Sequence, residues 1–151
     1  MDALEDFIIR AKAATYVGGG ASAPASRSAS HDLAFELGEF RYLDSYFGGT
    51  DFAGQEVVWH LGQPVWSMAY HGRILRDDLI DGAAAGATIK AALTALYGEG
   101  RFLGGFRFRH EQHDYIDIVD GDYRAFFGYE EIRVRDTRAY ALRYFGGLIR
   151  D

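Results

Sequence analysis

Residues 52–77 read FAGQEVVWHLGQPVWSMAYHGRILRD, and residues 126–151 read FFGYEEIRVRDTRAYALRYFGGLIRD. Laid over one another without a gap, they share Phe52/Phe126, Gly54/Gly128, Glu56/Glu130, Tyr70/Tyr144, Gly72/Gly146, Arg76/Arg150 and Asp77/Asp151. Between these identities the character is kept in Val58/Ile132, Trp66/Tyr140, Met68/Leu142, Ile74/Leu148 and Leu75/Ile149. Such a match predicts an internal duplication, two similar lobes closing one core, with their junction as the place for a ligand cleft. Tyr46-Phe47-Gly48-Gly49 also recurs as Tyr144-Phe145-Gly146-Gly147. The register that sets Tyr70 on Tyr144 is preferred because its matches run much further.

Each copy carries a hairpin. Alternation and the Gly62-Gln63 pair predict strands over 55–61 and 64–72. With that turn Trp59 faces Trp66, Val57 faces Met68 and Gln55 faces Tyr70, leaving Glu56 and Val58 on the other, small-residue face. In the second copy Tyr129, Tyr140, Leu142 and Tyr144 take the aromatic face, and Glu130 falls opposite Arg143.

Outward from the hairpins, Asp2 and Glu5 have capping-box spacing, and Leu4, Phe7, Ile8 and Ala11 recur at helical intervals, so residues 3–15 read as an amphipathic helix. Residues 18–30, rich in Gly, Ala and Ser, read as a loop able to act as a lid. Strands are expected over 32–37 and 40–47. Asp81 caps a second helix to about residue 97, and strands follow near 106–110, 113–119, 123–134 and 138–146. A helix and a strand meander, given twice, make an α+β fold: one curved sheet or two abutting sheets with two helices. The domain expected is a single one over 1–151, with halves of about 1–77 and 78–151.

The chain is 48% hydrophobic and 15% aromatic, enough for a sizeable core. A net charge of −6 without clustered lysine or arginine argues against a nucleic-acid surface. There is no cysteine, which removes disulfides and thiolate chemistry together. No signal-peptide pattern or membrane-length apolar run is present, so a soluble cytoplasmic protein is expected.

Three constellations carry candidate chemistry. Ser30-His31-Asp32 stands where a loop enters a strand, and Asp44 lies between Tyr42 and Tyr46 on one strand face. Either these are turn and loop hydrogen bonds, or Asp44 is a polar contact or a general base with a raised pKa. Glu56 and Glu130 occupy equivalent places in Phe-x-Gly-x-Glu and are able to flank a pseudo-twofold, or to pair with arginine as Glu130 would with Arg143. Trp59, Trp66, Met68, Tyr70, Tyr140 and Tyr144 form either core or the apolar wall of a pocket. His110-Glu-Gln-His113 on strands is a weak metal motif, and no phosphate loop or nucleophile elbow exists. No metal and no cofactor is therefore expected.

The strings Tyr16-x-Gly-Gly-Gly, Ser30-His31-Asp32-Leu33, Tyr42-x-Asp44-x-Tyr46-x-Gly48-Gly49, Phe52-x-Gly54-x-Glu56-x-Val58-Trp59 and Trp66-x-Met68-x-Tyr70-x-Gly72 resemble a bacterial domain-of-unknown-function family. Its members stand alone or follow an XRE-type helix-turn-helix. The resemblance brings no activity or catalytic residues. It implies, by analogy, small-molecule sensing or dimerisation. The standalone form, without a preceding DNA-binding helix pair, is the one expected here.

The leading expectation is a small-molecule-binding domain, with Ser30, Tyr46, Trp59, Trp66, Met68, Tyr70, Glu130 and Tyr144 around the ligand. The alternative is a small acid–base enzyme (isomerase, cyclase or hydrolase) using His31 with Asp44 or Glu56. A third class is a homodimerisation module burying the aromatic face. The expected partner is a small molecule, with no direct nucleic-acid or membrane contact. The first lobe, which alone carries Ser30-His31-Asp32, is where function is expected.

Overall fold

The structure is a computed structural model, and it describes residues 2–17 and 22–151. Helix α1 (Ala3–Lys12) begins at Asp2, whose side chain accepts from the Leu4 amide at 3.0 Å, and it runs on into a π-helical turn over Ala13–Val17. Helix α2 (Gly82–Gly98) begins at Asp81, which accepts from the Ala84 amide at 2.8 Å. Both caps satisfy amide donors that the first turn leaves free.

Among the described residues the nine strands are β1 (Ser22–Ala23), β2 (His31–Leu37), β3 (Phe40–Gly48), β4 (Phe52–His60), β5 (Gln63–Ile74), β6 (Phe106–His110), β7 (His113–Asp122), β8 (Ala125–Val134) and β9 (Thr137–Leu148). They form one antiparallel sheet in the order β1-β2-β3-β4-β5-β9-β8-β7-β6. The chain is thus α+β, with one sheet rather than two abutting ones. Two meanders, β2–β5 and β6–β9, meet where their last strands pair, and Tyr70 stands directly opposite Tyr144 in that ladder.

Helix α1 packs on β2 and β3, and α2 on β6 and β7. Phe7 stacks on Phe40 at 5.0 Å, and Ile8, Ala11, Ile89, Ala92 and Leu96 are buried with Val58, Trp66, Ile132 and Tyr140. The opposite sheet face leaves Ile118, Phe127 and Phe145 exposed. No helix among the described residues is long and apolar enough to cross a membrane.

The hairpin register differs from the expected one by a single residue. The β4–β5 turn is Leu61-Gly62, both with positive φ (50° and 81°). This alone would move each pairing by two residues and keep the faces, and a bulge at Val58/Trp59 takes one residue back, leaving a net slip of one. A type I′ turn needs positive φ at both central residues and matches the strand twist, which is why the chain turns there. Glu56 therefore pairs with Met68, and Val58 with Trp66. A one-residue slip moves side chains to the other face. Glu56 joins Trp66, Met68 and Tyr70 on the helix-covered face, while Trp59 goes to the other, where Arg41 lies over its ring at 5.5 Å. The second hairpin does the same through Arg135-Asp136 (φ 49° and 63°) and a bulge at Ile132/Arg133. Glu130 pairs with Leu142, Arg143 falls opposite Tyr129, and the expected Glu130–Arg143 pair does not form.

Of the loop expected over 18–30, residues 18–21 lie outside the described residues. The remainder is β1 and a turn held down by Asp32, which accepts from the Ser26 amide and from the Ser30 and Ser45 hydroxyls at 3.1, 2.7 and 2.9 Å.

Two glycines make room for the tyrosines of the central ladder. Gly54 stands opposite Tyr70 and Gly128 opposite Tyr144, and a Cβ on either would overlap the phenol that lies across it. Gly128→Ala is expected to destabilise the fold by about 1–3 kcal/mol, the usual range for overpacking. Urea denaturation measures this, and a change of less than a few tenths would show that Tyr144 has somewhere else to go.

Candidate functional site

The missing Cβ atoms have a chemical consequence. Tyr70 reaches across Gly54 to β3, where its hydroxyl donates to Asp44 Oδ1 at 2.6 Å. Tyr144 reaches across Gly128 to β7 and donates to Asp117 Oδ1 at 2.6 Å. Asp44 is the cross-strand partner of Glu56, and Asp117 of Glu130. Each meander thus presents a tyrosine, an aspartate and a glutamate on the helix-covered face.

These four carboxylates are 3%, 5%, 6% and 8% exposed for Asp44, Glu56, Asp117 and Glu130. Buried carboxylates need partners, because burial disfavours the charged form. Glu56 is met by Lys12 from the end of α1: Nζ lies 2.9 Å from Oε1 in hydrogen-bond geometry and 2.7 Å from Oε2, off line for a hydrogen bond. The same ammonium donates to Met68 Sδ at 3.4 Å and sits 5.6 Å from the centroid of the Phe102 ring. Glu130 accepts from the Tyr115 hydroxyl instead.

Burial, then the charge of Glu56, pushes Asp44 up to about 7 against the pull of the Tyr70 hydrogen bond and Lys12. Burial likewise carries Glu130 up to about 7, with Tyr115 opposing, and raises Asp117. Burial and the neighbouring carboxylates also raise Tyr70 and Tyr144, so both phenols stay protonated and donate.

The cluster lines a cavity of about 80 Å³ between the helices and the sheet, walled by Tyr16, Phe52, Leu93, Tyr97 and Phe102 among others. A wider cavity of about 350 Å³ lies beside it, sharing Tyr16, Asp44, Phe52, Tyr70 and Ile89 and continuing past Tyr46, Gly86 and Tyr140. Tyr140 is 1% exposed and its hydroxyl has no hydrogen-bond partner among the described residues. The pair of cavities is an apolar enclosure with a few polar groups converging on it, the usual form of a small-molecule site.

Of the residues expected at a site, Asp44, Glu56, Met68, Tyr70, Glu130 and Tyr144 line the inner cavity and Tyr46 the outer one. The others go elsewhere. Ser30 is spent on Arg27 and Asp32 in the β2 turn. Burial would raise Asp32, but the hydrogen bonds from Ser26, Ser30 and Ser45 outweigh it and hold that carboxyl at about 2. His31 is exposed at the start of β2, its ring 5.1 Å from that of Tyr46, and it lines neither cavity. Trp66 is fully buried, donating to the Tyr123 carbonyl at 2.9 Å and stacked on Phe126, so it is core. Trp59 is on the far face. His110 and His113 are cross-strand partners beside their turn, and His113 meets Thr88 of α2 at 3.0 Å.

Lys12, Tyr16, Tyr97, Tyr115 and Asp117 also line the inner cavity, although none is among the residues expected at a site. Lys12 carries a readable signal, since it follows Ile8 by one turn on the apolar stripe of α1. Asp117 carries one too, between apolar neighbours on an alternating strand, in Tyr115-Ile116-Asp117-Ile118.

Residues 44–149 match the family described as Domain of unknown function (DUF5680), and the chain belongs to that family. No curated protein and no solved structure matches it.

Asp44 and Glu130 link stability to pH. Their folded-state values lie above the ordinary 3.8 and 4.5, so between about pH 4 and 7 the folded chain holds protons that the unfolded chain has released. The stability this supplies is complete below the unfolded values and is lost as pH rises through about 7. Unfolding free energy is expected to fall from pH 5.5 to 7.5, by on the order of 1–2 kcal/mol for each group. Asp44→Asn is expected to flatten the profile by its share, and an unchanged profile would refute the assignment. Lys12→Met leaves Glu56 buried without its cation and is expected to cost about 3–5 kcal/mol. Adding Glu56→Leu is expected to recover most of that loss in urea denaturation.

Proposed function

We propose that this chain is a small-molecule-binding domain whose ligand occupies the two adjoining cavities between the helices and the sheet. The observation that carries the reading is the inner chamber: buried carboxylates, each held by a tyrosine hydroxyl or by Lys12, around space that no side chain among the described residues fills. Such groups are expensive to bury, and a core under no functional demand is more stable with apolar residues in their place. The inner cavity is lined by residues of both meanders, which supports a ligand cleft at their junction.

An internal duplication accounts for the arrangement. The β5–β9 register sets Tyr70 on Tyr144, Trp66 on Leu148 and Ile74 on Tyr140, so aligned positions exchange across a local twofold axis. The resemblance to bacterial domains found alone or behind XRE-type helix-turn-helix regulators favours a sensory role, by analogy.

A second reading is acid–base catalysis at Asp44. Burial brings its carboxyl to about 7, within the range useful to a general acid or base, and Tyr70 orients it. His31 has no part in this version, because it stands outside both cavities. Turnover that Asp44→Asn abolishes without loss of ligand binding would favour catalysis over sensing.

A thermal-shift screen with a broad metabolite set tests the main reading. A ligand at a hundred times its Kd stabilises the fold by about 2.7 kcal/mol. Gly86 of α2 lines the outer cavity, and a Cβ there meets nothing within 4 Å. Gly86→Leu is expected to keep or raise the melting temperature of the free protein, since leucine favours helix by roughly 1 kcal/mol over glycine. The same change should block the ligand-induced shift. No shift with any compound, or shifts that survive Gly86→Leu, would refute a ligand site in these cavities.

A further inference from the structure

We infer that the ligand is a small amine, its ammonium group seated at Asp117 and Glu130 in the inner cavity and its apolar part directed toward the outer one. This rests on the ligand site proposed above and names the chemical class it takes.

The chamber already solvates one ammonium. Lys12 Nζ is surrounded by the Glu56 carboxylate, the Met68 sulfur and the Phe102 ring, a combination of opposite charge, a soft acceptor and an aromatic face that suits a desolvated cation. The second meander offers the same cross-strand pair of acids without a lysine in contact; Lys12 acts on Glu130 from across the cavity but is bonded to Glu56. Among the described residues, neither Asp117 nor Glu130 is in a salt bridge with lysine or arginine. Arg101 is near enough to act on Asp117, but its guanidinium is bonded to Glu99 and to the Leu103 and Gly105 carbonyls. Each of the two acids accepts one phenol, from Tyr144 and Tyr115 respectively. An ionised carboxylate has about four lone-pair sites, so acceptor capacity remains on both.

The helix position that corresponds to Lys12 is Leu93, when Ala14-Thr15-Tyr16 is aligned with Ala95-Leu96-Tyr97. Leu93 lines the inner cavity and brings no donor. The ammonium that α1 supplies from its own sequence in the first half is left for a ligand to supply in the second.

An independent feature points to an occupant. Tyr140, 1% exposed and with a hydroxyl that has no partner among the described residues, lines the outer cavity. A buried hydroxyl left unpaired costs free energy that a ligand's polar group recovers. Phe52, Tyr16 and Tyr97 complete walls suited to a flat or aliphatic body. With four carboxylates and one lysine lining the inner chamber, an anionic ligand meets like charge there.

Phenethylamine, 2-phenylethanol and phenylacetate, matched in shape and differing in charge, test this by calorimetry and thermal shift on the full chain. The amine is expected to bind at least tenfold more tightly than the alcohol or the acid. Glu130→Gln keeps an acceptor for Tyr115 and removes the charge, and it should weaken amine binding at least tenfold. Leu93→Lys supplies an internal ammonium and should have the same effect. A cooperative melt of each variant is checked first, with Asp117→Asn replacing either one that lacks it. Equal or tighter binding of the alcohol or the acid overturns the amine assignment while leaving a ligand site standing. Absence of amine binding, or amine binding indifferent to both variants, also overturns it. The wider reading falls only with the metabolite screen and Gly86→Leu.

Discussion

The β5–β9 ladder, with Tyr70 opposite Tyr144, is the constraint on which the rest of the structure depends. It joins two meanders into one sheet, and it fixes where their polar groups converge. From the centre of that ladder each tyrosine crosses one strand at a glycine and reaches the aspartate of the next. The glycines are not there for turn geometry. They remove the side chain that would otherwise lift the phenol off the sheet and away from its carboxylate.

Burial and charge compete within the cluster that this ladder assembles. Asp44, Asp117 and Glu130 are pushed toward their neutral forms by burial, and each keeps a phenolic donor that favours the anion. The opposing effects bring Asp44 and Glu130 to the point where protonation changes near neutral pH. A group in that condition responds to whatever enters the cavity: a cation draws the proton off, and an apolar or anionic neighbour drives it on. Of the four acids, Glu56 is the one salt-bridged to a cation among the described residues.

The strands, both helices and both caps are legible because alternation, helical spacing and the Asp2 and Asp81 signals all act locally. The faces of the hairpins are not. Placing the turn at Gly62-Gln63 instead of Leu61-Gly62 moves the pairing by two residues and keeps the faces. It is the bulge at Val58/Trp59, which leaves no mark in the alternation pattern, that takes Trp59 away from Trp66 and brings Glu56 to the face of Tyr70. Leucine at positive φ is uncommon outside such a turn, so sequence pattern favours the glycine as the first turn residue. The carboxylates Asp44, Glu56 and Glu130 are visible as candidates. Their convergence is not, because it depends on the pairing of β5 with β9, far apart in sequence. Ser30-His31-Asp32 stands out as a polar cluster at a loop, yet the hydrogen bonds of Ser30 and Asp32 close within the turn.

The asymmetry between the halves then takes on a different meaning. On sequence alone the first half looks like the functional one, because it carries the additional polar residues. Those residues are consumed: Ser30 and Asp32 fasten the β2 turn, and Lys12 neutralises Glu56. A polar group already satisfied within the protein has little left to offer a ligand, whereas an equivalent group lacking its counter-ion retains acceptor capacity and gives up its proton when a cation enters. If one ancestral half was copied, a lysine at position 12 and a leucine at position 93 would make one acidic pair structural and, as proposed above, the other receptive. On that proposal Leu93, the residue that carries no chemistry, would decide which half binds.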